Sequence, residues 1–386
     1  MNHEPGDPHV TVLHATPSYA PAYRFGGPIH SLEGLVEGLR GQGADVRVVT
    51  TDVAGPDGSR LEVPSAWTSF RGVPVLYLPA VWFDATPRTF DTVLREARRA
   101  DVVHVTGVFN VPSMLALAAA LAASRPVVLS PRGALEGAAL RSKRASAKRA
   151  WLAAHGPLLR RVRAFHATSE QEARSIRARF PVAEIVVVPN GTTVQPSLPR
   201  TFACRVGAIG RIHPIKGYDL LIRAVARLAA RGLGVELVIG GPVEDEAHHR
   251  ALQTLARELS VQSRVRFVGE LRGREKAELL ATLGVLALPS HSENFGNVVV
   301  EALAAGIPVV ASRATPWAEL ESERCGRWVE NAPDSLAEAL GEYLVDPVRA
   351  RDAGDRGRAL VERRYSWDAV ARDMLGLYRL VTGPRR

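Results

Sequence analysis

The stretch that decides the fold is LPSHSENFGNVVVEALAAGIPVVAS, Leu288–Ser312. A short apolar run, Val285–Leu288, leads into the polar loop Ser290-His291-Ser292-Glu293-Asn294. Phe295-Gly296-Asn297 can then open a helix, and Ile307–Ala311 returns as a second apolar run. Strand, loop, helix and strand in this order describe a parallel crossover with its loop at the carboxyl end of the first strand. The start of a helix carries unpaired backbone N–H groups and a partial positive charge, so it can hold an anion or a ring of hydroxyls. Glu293 in the loop and Glu301 further along the helix are two carboxylates able to accept hydrogen bonds from sugar-type hydroxyls.

The same alternation extends in both directions. Upstream, Val10–Ala15, Val46–Thr51, Val73–Leu78, Asp101–Val105, Val127–Ser130, Ala164–Ala167 and Ile185–Val188 read as buried strands. Amphipathic stretches such as Ser31–Arg40 and Glu170–Arg179 lie between them. After Pro189–Arg200, rich in Pro, Gly, Thr and Ser, the pattern restarts with Cys204–Ile209, Val235–Ile239 and Val265–Val268. The chain has 386 residues, more than one ordinary core accommodates. The expected fold is α/β, with two doubly wound domains facing a central cleft. The domains are read as 1–195, joined by a returning segment 366–382, and 196–365. A helical stretch Asp334–Arg364 and a last helix N-capped by Ser366 close the chain. No sequence repeat relates the halves. Ligands of open α/β sheets bind at the carboxyl ends of the strands.

Composition excludes several classes. The apolar fraction of 46% is that of a globular protein. The two cysteines, Cys204 and Cys325, make neither a disulfide framework nor a cysteine-rich zinc site; Cys204 reads as a buried strand cysteine. The polar start, Met1–His9, has no signal-peptide pattern, and the most apolar run, Val111–Ser124, is too short to span a bilayer, so a cytoplasmic protein is expected. The net charge of +9 is concentrated between Arg141 and Arg163, where Arg141, Lys143, Arg144, Lys148, Arg149, Arg160, Arg161 and Arg163 occur without an acid. That segment is either a solvated helix face or a contact for an anionic membrane surface or lipid-linked substrate. No aromatic interleaving or motif points to nucleic acid.

A second motif lies at the start of the second half. Gly207-Ala208-Ile209-Gly210-Arg211 follows a strand, and His213-Pro214-Ile215-Lys216-Gly217 leads into a helix from Asp219 to Ala230. Glycine lets the backbone pass close to a ligand. Arginine grips phosphate oxygens bidentately and lysine supplies a compact charge. The pair Arg211 and Lys216 suits a diphosphate, although no Walker loop is present.

With both motifs in place, the chain resembles the retaining glycosyltransferases of family 4, which have the GT-B fold. GAIGRIHPIKGYDLLIRA, LPSHSENFGNVVVEALAAGIPVVAS and Tyr365-Ser366-Trp367 carry the resemblance in the second half. FGGPIHSLEGLVEGLRGQGADVRVVT, SPRGALE and FHATSEQEA in the first half are similar to the bacterial exopolysaccharide and lipopolysaccharide branch. The resemblance implies a nucleoside-diphosphate sugar, UDP- or GDP-linked, as donor and a glycan or lipid-linked oligosaccharide as acceptor. It implies that Arg211 and Lys216 bind the diphosphate and Glu301 the ribose. Glu293, Asn294 and the backbone of Phe295, Gly296 and Asn297 would hold the donor sugar. The base would pack near Gly269, Glu270 and Leu271, and Gly26 and Gly27 would let the chain approach the diphosphate. The last helix would cross back onto the first domain.

No Asp-x-Asp triplet occurs, so neither a metal nor another cofactor is expected. The position where the family often has a catalytic His holds Thr106, whose hydroxyl can bond a sugar but is no general acid near neutral pH. His104 is read as packed in the strand and turned away from the Thr106 side. Arg132 and His166 are cleft-edge candidates for phosphate or acceptor contact, or structural residues. Asn190-Gly191-Thr192-Thr193 replaces the family's usual Asn-Gly-Val-Asp. Trp317 and Trp367 read as packing residues, and the adjacent His248 and His249 as a solvated pair too poorly spaced for a metal. Two other readings stay open. One is a sugar-nucleotide epimerase, for which no acid/base carboxylate pair can be assigned. The other is a non-catalytic sugar-nucleotide-binding or scaffold member of a polysaccharide assembly. A dinucleotide dehydrogenase is disfavoured, because no strand is followed by G-x-G-x-x-G.

Overall fold

The computed structural model describes residues 9–81, 84–141, 144–194 and 203–383. Residues 1–8, Lys143 and the linker prolines 196 and 199 lie outside the described residues. The chain forms two compact units, residues 1–191 with 367–386, and residues 192–366.

In the first unit the strands are β1 (Thr11–Ala15), β2 (Asp45–Thr51), β3 (Trp67–Phe70), β4 (Val73–Leu78), β5 (Val102–Thr106), β6 (Val127–Ser130), β7 (Ala164–Ala167) and β8 (Ile185–Val187). Their order in the sheet is β3-β4-β2-β1-β5-β6-β7-β8. All neighbours run parallel except β3, which pairs antiparallel with β4 through Trp67 opposite Leu76 and Phe70 opposite Val73. The sheet is buried on both faces. One face packs against the helix Gly27–Gly41 and the last helix, Trp367–Thr382; the other packs against a cluster that includes Met114, Leu117 and Leu159. Burial on both faces is why these strands read as continuous Val/Leu/Ala runs rather than alternating ones. Trp367 seats the last helix: a Cβ on Gly34 or Gly191 would overlap its indole ring.

In the second unit β9 (Arg205–Ile209), β10 (Glu236–Gly240), β11 (Val265–Phe267), β12 (Val285–Leu288), β13 (Val309–Ser312) and β14 (Gly326–Val329) form a parallel sheet ordered β11-β10-β9-β12-β13-β14. The strand order reverses between β9 and β12, and that switch point opens a crevice at the carboxyl ends of these two strands.

Local chemistry sets the helix ends. Ser169 Oγ accepts from Glu172 N at 3.1 Å and starts the helix Glu170–Arg177. Asn110 Oδ1 accepts from Ser113 N at 2.8 Å and starts Val111–Ala122. The stretch expected as one helix over Asp334–Arg364 is two, Pro333–Leu344 and Pro347–Leu360, followed by a π-helical turn at Val361–Tyr365. Pro347 cannot continue a helix but suits its first turn, and Asp346 Oδ1 caps the new one by accepting from Val348 N at 3.1 Å and Arg349 N at 3.0 Å. Ser366 has extended backbone before the last helix, with its hydroxyl donating to Glu362 O at 3.2 Å. Cys204 is half-buried and precedes β9 rather than lying within it; Cys325 is the buried one.

Candidate functional site

In the second unit two loops meet at the switch point. One follows β9 and carries Arg211 and Lys216; the other follows β12 and carries Glu293. His291 N donates to Ile215 O at 2.8 Å and ties them together. Lys216 Nζ lies 2.6 Å from Glu293 Oε2, and Ser290 Oγ donates to the same oxygen at 3.2 Å. Gly217 is left-handed, φ 65°, and a Cβ there would overlap the Pro289 carbonyl, so the β9 loop passes the β12 loop only as glycine. Arg211 reaches outward, Nη1 to Glu244 Oε2 at 2.6 Å, with both side chains exposed.

The Glu293 loop has a fixed base. Gly296 is left-handed at φ 85° and precedes the helix Asn297–Ala304. The indole Nε1 of buried Trp317 donates to Phe295 O. The Phe295 and Trp317 rings lie 5.1 Å apart, and Trp317 and Tyr365 5.7 Å. This aromatic cluster holds the first turn of the helix, where backbone N–H groups point out of the helix end. Trp317 is thus a packing residue. Glu301, on the same helix, is paired with Lys276 of the helix Gly273–Ala281. Lys276 carried no signal in the sequence, since it belongs to no motif and meets Glu301 only through the fold. Near the adjacent strand ends, Gly269 has φ 73° and its carbonyl accepts from Gly241 N at 2.6 Å. Glu270 pairs with Arg272 at 2.9 Å, and Leu271 covers Gly240.

In the first unit Gly26, φ 73°, and Gly27 open the helix that follows β1, and no atom lies within 4 Å of a Cβ placed on Gly26. Thr106 ends β5. Its carbonyl accepts from Ser113 Oγ at 2.6 Å, while its own Oγ1 is buried and has no hydrogen-bond partner among the described residues. Arg132 has φ 55° and donates from Nη1 to Asn190 Oδ1 at 2.6 Å.

His166 departs from its reading as a cleft-edge contact. It is 2% exposed, Nε2 lies 2.8 Å from Val188 O, and Nδ1 lies 2.6 Å from Ser130 Oγ, so both nitrogens are engaged inside the protein. His104 is packed, as read, but it is not turned away from Thr106: residues two apart in a strand share a face. It is simply deeper, with Nε2 2.6 Å from Ser130 Oγ and Nδ1 2.7 Å from Tyr378 Oη. Tyr378 in turn faces His14 Nε2 at 3.2 Å.

The direction of this chain follows from its end once the rings are neutral. Val188 O can only accept, so His166 Nε2 carries the hydrogen and its Nδ1 accepts from Ser130. Ser130 then accepts from His104 Nε2, His104 Nδ1 accepts from Tyr378, and Tyr378 accepts from His14 Nε2. Burial, reinforced by the Arg132 charge, pushes the His14 and His166 pKa values down to about 3. Burial and the neighbouring histidines hold His104 well below its ordinary value. All three rings are therefore neutral near pH 7, and neutrality is what gives the chain this direction.

Two family models match. Residues 205–360 match "Glycosyl transferases group 1", and residues 26–191 match a "Glycosyl transferase 4-like domain". The chain joins these two glycosyl transferase domains in the GT-B fold. The D-inositol 3-phosphate glycosyltransferase of Stackebrandtia nassauensis is 36% identical over 197 residues, which cover 47% of this chain and 44% of that protein. The chain thus spans less than half the length of that curated relative. Among solved structures, the sucrose-phosphate synthase of Thermosynechococcus elongatus superposes with a TM-score of 0.72 at 21% identity, covering 96% of this chain and 99% of that one. Anabaena HepE in complex with UDP-glucose gives 0.72 at 18% identity, covering 96% and 100%. These likenesses establish the fold.

Within the group 1 domain, Arg211, Lys216 and Glu293 all sit at the switch point of its sheet, and Glu301 lies on the helix that starts there. In the 4-like domain, Gly26, Gly27 and Thr106 follow or end the central strands β1 and β5. His166 and His104 lie in the interior of that domain.

Proposed function

We propose that the chain is a retaining glycosyltransferase that moves a sugar from a UDP- or GDP-linked donor to a glycan or lipid-linked acceptor in cell-surface polysaccharide synthesis. The observation that carries this reading is the switch point of the second unit, where Lys216 stands 2.6 Å from Glu293 beside the start of the helix Asn297–Ala304. A cation, a carboxylate and a helix amino terminus at one strand-end crevice suit a diphosphate joined to a hydroxylated ring. The second unit is the donor-binding domain and the first the acceptor-binding domain.

In this reaction the bond between the anomeric carbon and the diphosphate oxygen breaks, and one forms from that carbon to an acceptor hydroxyl oxygen. The acceptor proton passes to the departing phosphate. Lys216 and Arg211 meet the negative charge that grows on that phosphate, in place of a metal ion. Glu293, with Asn294 and the backbone of Phe295, Gly296 and Asn297, orients the sugar. Glu301 accepts from the ribose hydroxyls, and Gly269, Glu270 and Leu271 border the base. Thr106 and Arg132 serve the sugar or acceptor from the first unit.

The acceptor reading draws support from the helix Ala145–Leu159, flanked by exposed Arg141, Arg144, Arg160 and Arg161. Such a surface attracts anionic lipid headgroups. No helix of the described residues is long and apolar enough to cross a membrane, so contact would be peripheral. The test is turnover of UDP-, GDP- and dTDP-sugars with EDTA present and membrane extract as acceptor, with the product anomer read by NMR. Metal-free transfer with retained configuration supports the reading. Donor binding without transfer favours a non-catalytic binding protein, and an inverted product excludes the retaining mechanism.

A further inference from the structure

A second basic site lies at the edge of the same sheet. The edge strand β14 contributes Gly326 and Arg327 to a cleft of about 220 Å³, bordered also by Glu321, Arg324, Arg349 and Arg356. The carboxylates here are already committed. Glu342, behind the cleft, accepts from Arg327 Nη1 at 2.7 and 2.8 Å and pairs with Arg349. Glu321 accepts from Arg327 Nε at 3.2 Å and from Trp328 N at 3.0 Å. Counting four arginines against these two glutamates leaves a net charge of +2.

The surplus resides in Arg324 and Arg356. Among the described residues no acceptor reaches the Arg324 guanidinium, and Arg356 uses only Nε, donating to Arg324 O at 2.9 Å. Arg324 has φ 51°, a left-handed backbone that a non-glycine residue seldom adopts. The Arg356 bond holds its carbonyl in that turn. Guanidinium groups around one cleft repel each other, and an oxyanion relieves the repulsion while accepting bidentate hydrogen bonds.

We propose that this cleft binds a phosphate-bearing ligand, a phosphomonoester or diphosphate group gripped by Arg324 and Arg356, at a site separate from the switch point. β14 is two strands away from β12 in the sheet, and none of Arg211, Lys216, Glu293 and Glu301 borders the cleft. The phosphate could belong to a soluble metabolite or to a lipid headgroup, and the experiment separates these.

Inorganic pyrophosphate is titrated calorimetrically into protein carrying both Arg211→Gln and Lys216→Ala, in which the two switch-point cations are gone. The expected result is one remaining site whose affinity falls at least tenfold when Arg324→Gln and Arg356→Gln are added to that background. Arg324→Gln alone removes an exposed side chain without a protein partner, so a folded variant is available; it is expected to weaken the same site severalfold. The full chain is then sedimented with phosphatidylcholine vesicles with and without phosphatidic acid. Phosphatidic-acid-dependent binding that Arg324→Gln reduces and pyrophosphate competes assigns the ligand to a headgroup. Pyrophosphate binding without such vesicle binding assigns it to a soluble phosphate. No pyrophosphate site in the Arg211→Gln, Lys216→Ala protein, or one that Arg324→Gln and Arg356→Gln leave unchanged, overturns the proposal.

Discussion

Lys216 Nζ and Glu293 Oε2 lie 2.6 Å apart across 77 residues of sequence, with only 14% and 17% of the two side chains exposed. The contact joins the loop after β9 to the loop after β12. It also means that the cation proposed for the diphosphate is paired with the carboxylate proposed for the sugar. A donor would have to give Lys216 a better partner than Glu293 and give Glu293 a new hydrogen-bond donor.

Lys216→Ala is therefore expected to act twice. It removes the charge proposed to meet the departing diphosphate, and it leaves Glu293 partly buried without its cation. Sugar transfer should fall about 100- to 1,000-fold in kcat/KM, the scale of losing one preorganised charge-stabilising contact. Lys216→Arg, which keeps the charge but not the geometry, should recover only part of it. Steady-state kinetics on the preferred donor checks both, and wild-type turnover in Lys216→Ala would rule out the assigned role.

Gly217→Ala tests how the loops pass each other. The left-handed φ of 65° and the overlap with the Pro289 carbonyl act together. A loss of about 1–3 kcal/mol in unfolding free energy is expected, together with weaker nucleotide binding. Gly232→Ala is the control: its φ of 83° is similarly left-handed, but no atom lies within 4 Å of the added Cβ. A Gly217→Ala loss no larger than the control's would show that the close approach carries no energetic weight.

Glu301→Gln should raise the KM for a nucleotide sugar while changing kcat little, because the proposed ribose contact would be made equally in ground and transition states. The substitution also deprives Lys276 of its partner. Lys276→Met should consequently shift nucleotide affinity in the salt-dependent manner of a charge contact. Equal KM values for wild type and Glu301→Gln would remove Glu301 from the donor site.

The buried histidines predict a pH dependence of stability. Burial, with the Arg132 charge behind it, lowers His14 and His166 to about 3, below their unfolded value of 6.5. The unfolded chain then binds more protons between those values, so stability is fully present above pH 6.5 and is lost as the pH falls toward 3. Each ring contributes on the order of 1 kcal/mol per pH unit in that window. Urea midpoints should fall between pH 7 and pH 5, where carboxylates titrate little. A constant midpoint over that range would mean that the histidines are not held neutral. Tyr378→Phe, which removes the His104 to His14 link, should cost about 1–3 kcal/mol at neutral pH.

Much of the fold was legible because strands buried on both faces leave an unmistakable apolar run. Val73–Leu78, Val127–Ser130, Ala164–Ala167 and Val285–Leu288 have the same bounds in the structure as in the sequence reading. The two strands that were missed, Trp67–Phe70 and Gly326–Val329, lie at sheet edges, where half the environment is solvent or loop and the apolar run is broken. The Asp334–Arg364 stretch read as one helix because its apolar spacing carries through, although Asp346-Pro347 is a capping and restart signal. The candidate residues around Gly210–Lys216 and Glu293–Glu301 were visible as motifs. Their pairing was not, since Lys216 and Glu293, Lys276 and Glu301, and His14 and Tyr378 meet only through the fold. The same blindness placed His166 at a cleft edge, because a histidine near the end of a strand looks alike from sequence whether it faces solvent or a buried serine.

The most direct measurement is calorimetric titration of UDP and GDP into wild-type and Lys216→Ala protein, with EDTA present throughout. Metal-free binding of one nucleotide at a single site, weakened at least tenfold by Lys216→Ala, is the expected result. Absence of nucleotide binding, or binding that needs a divalent cation and ignores Lys216→Ala, would contradict it.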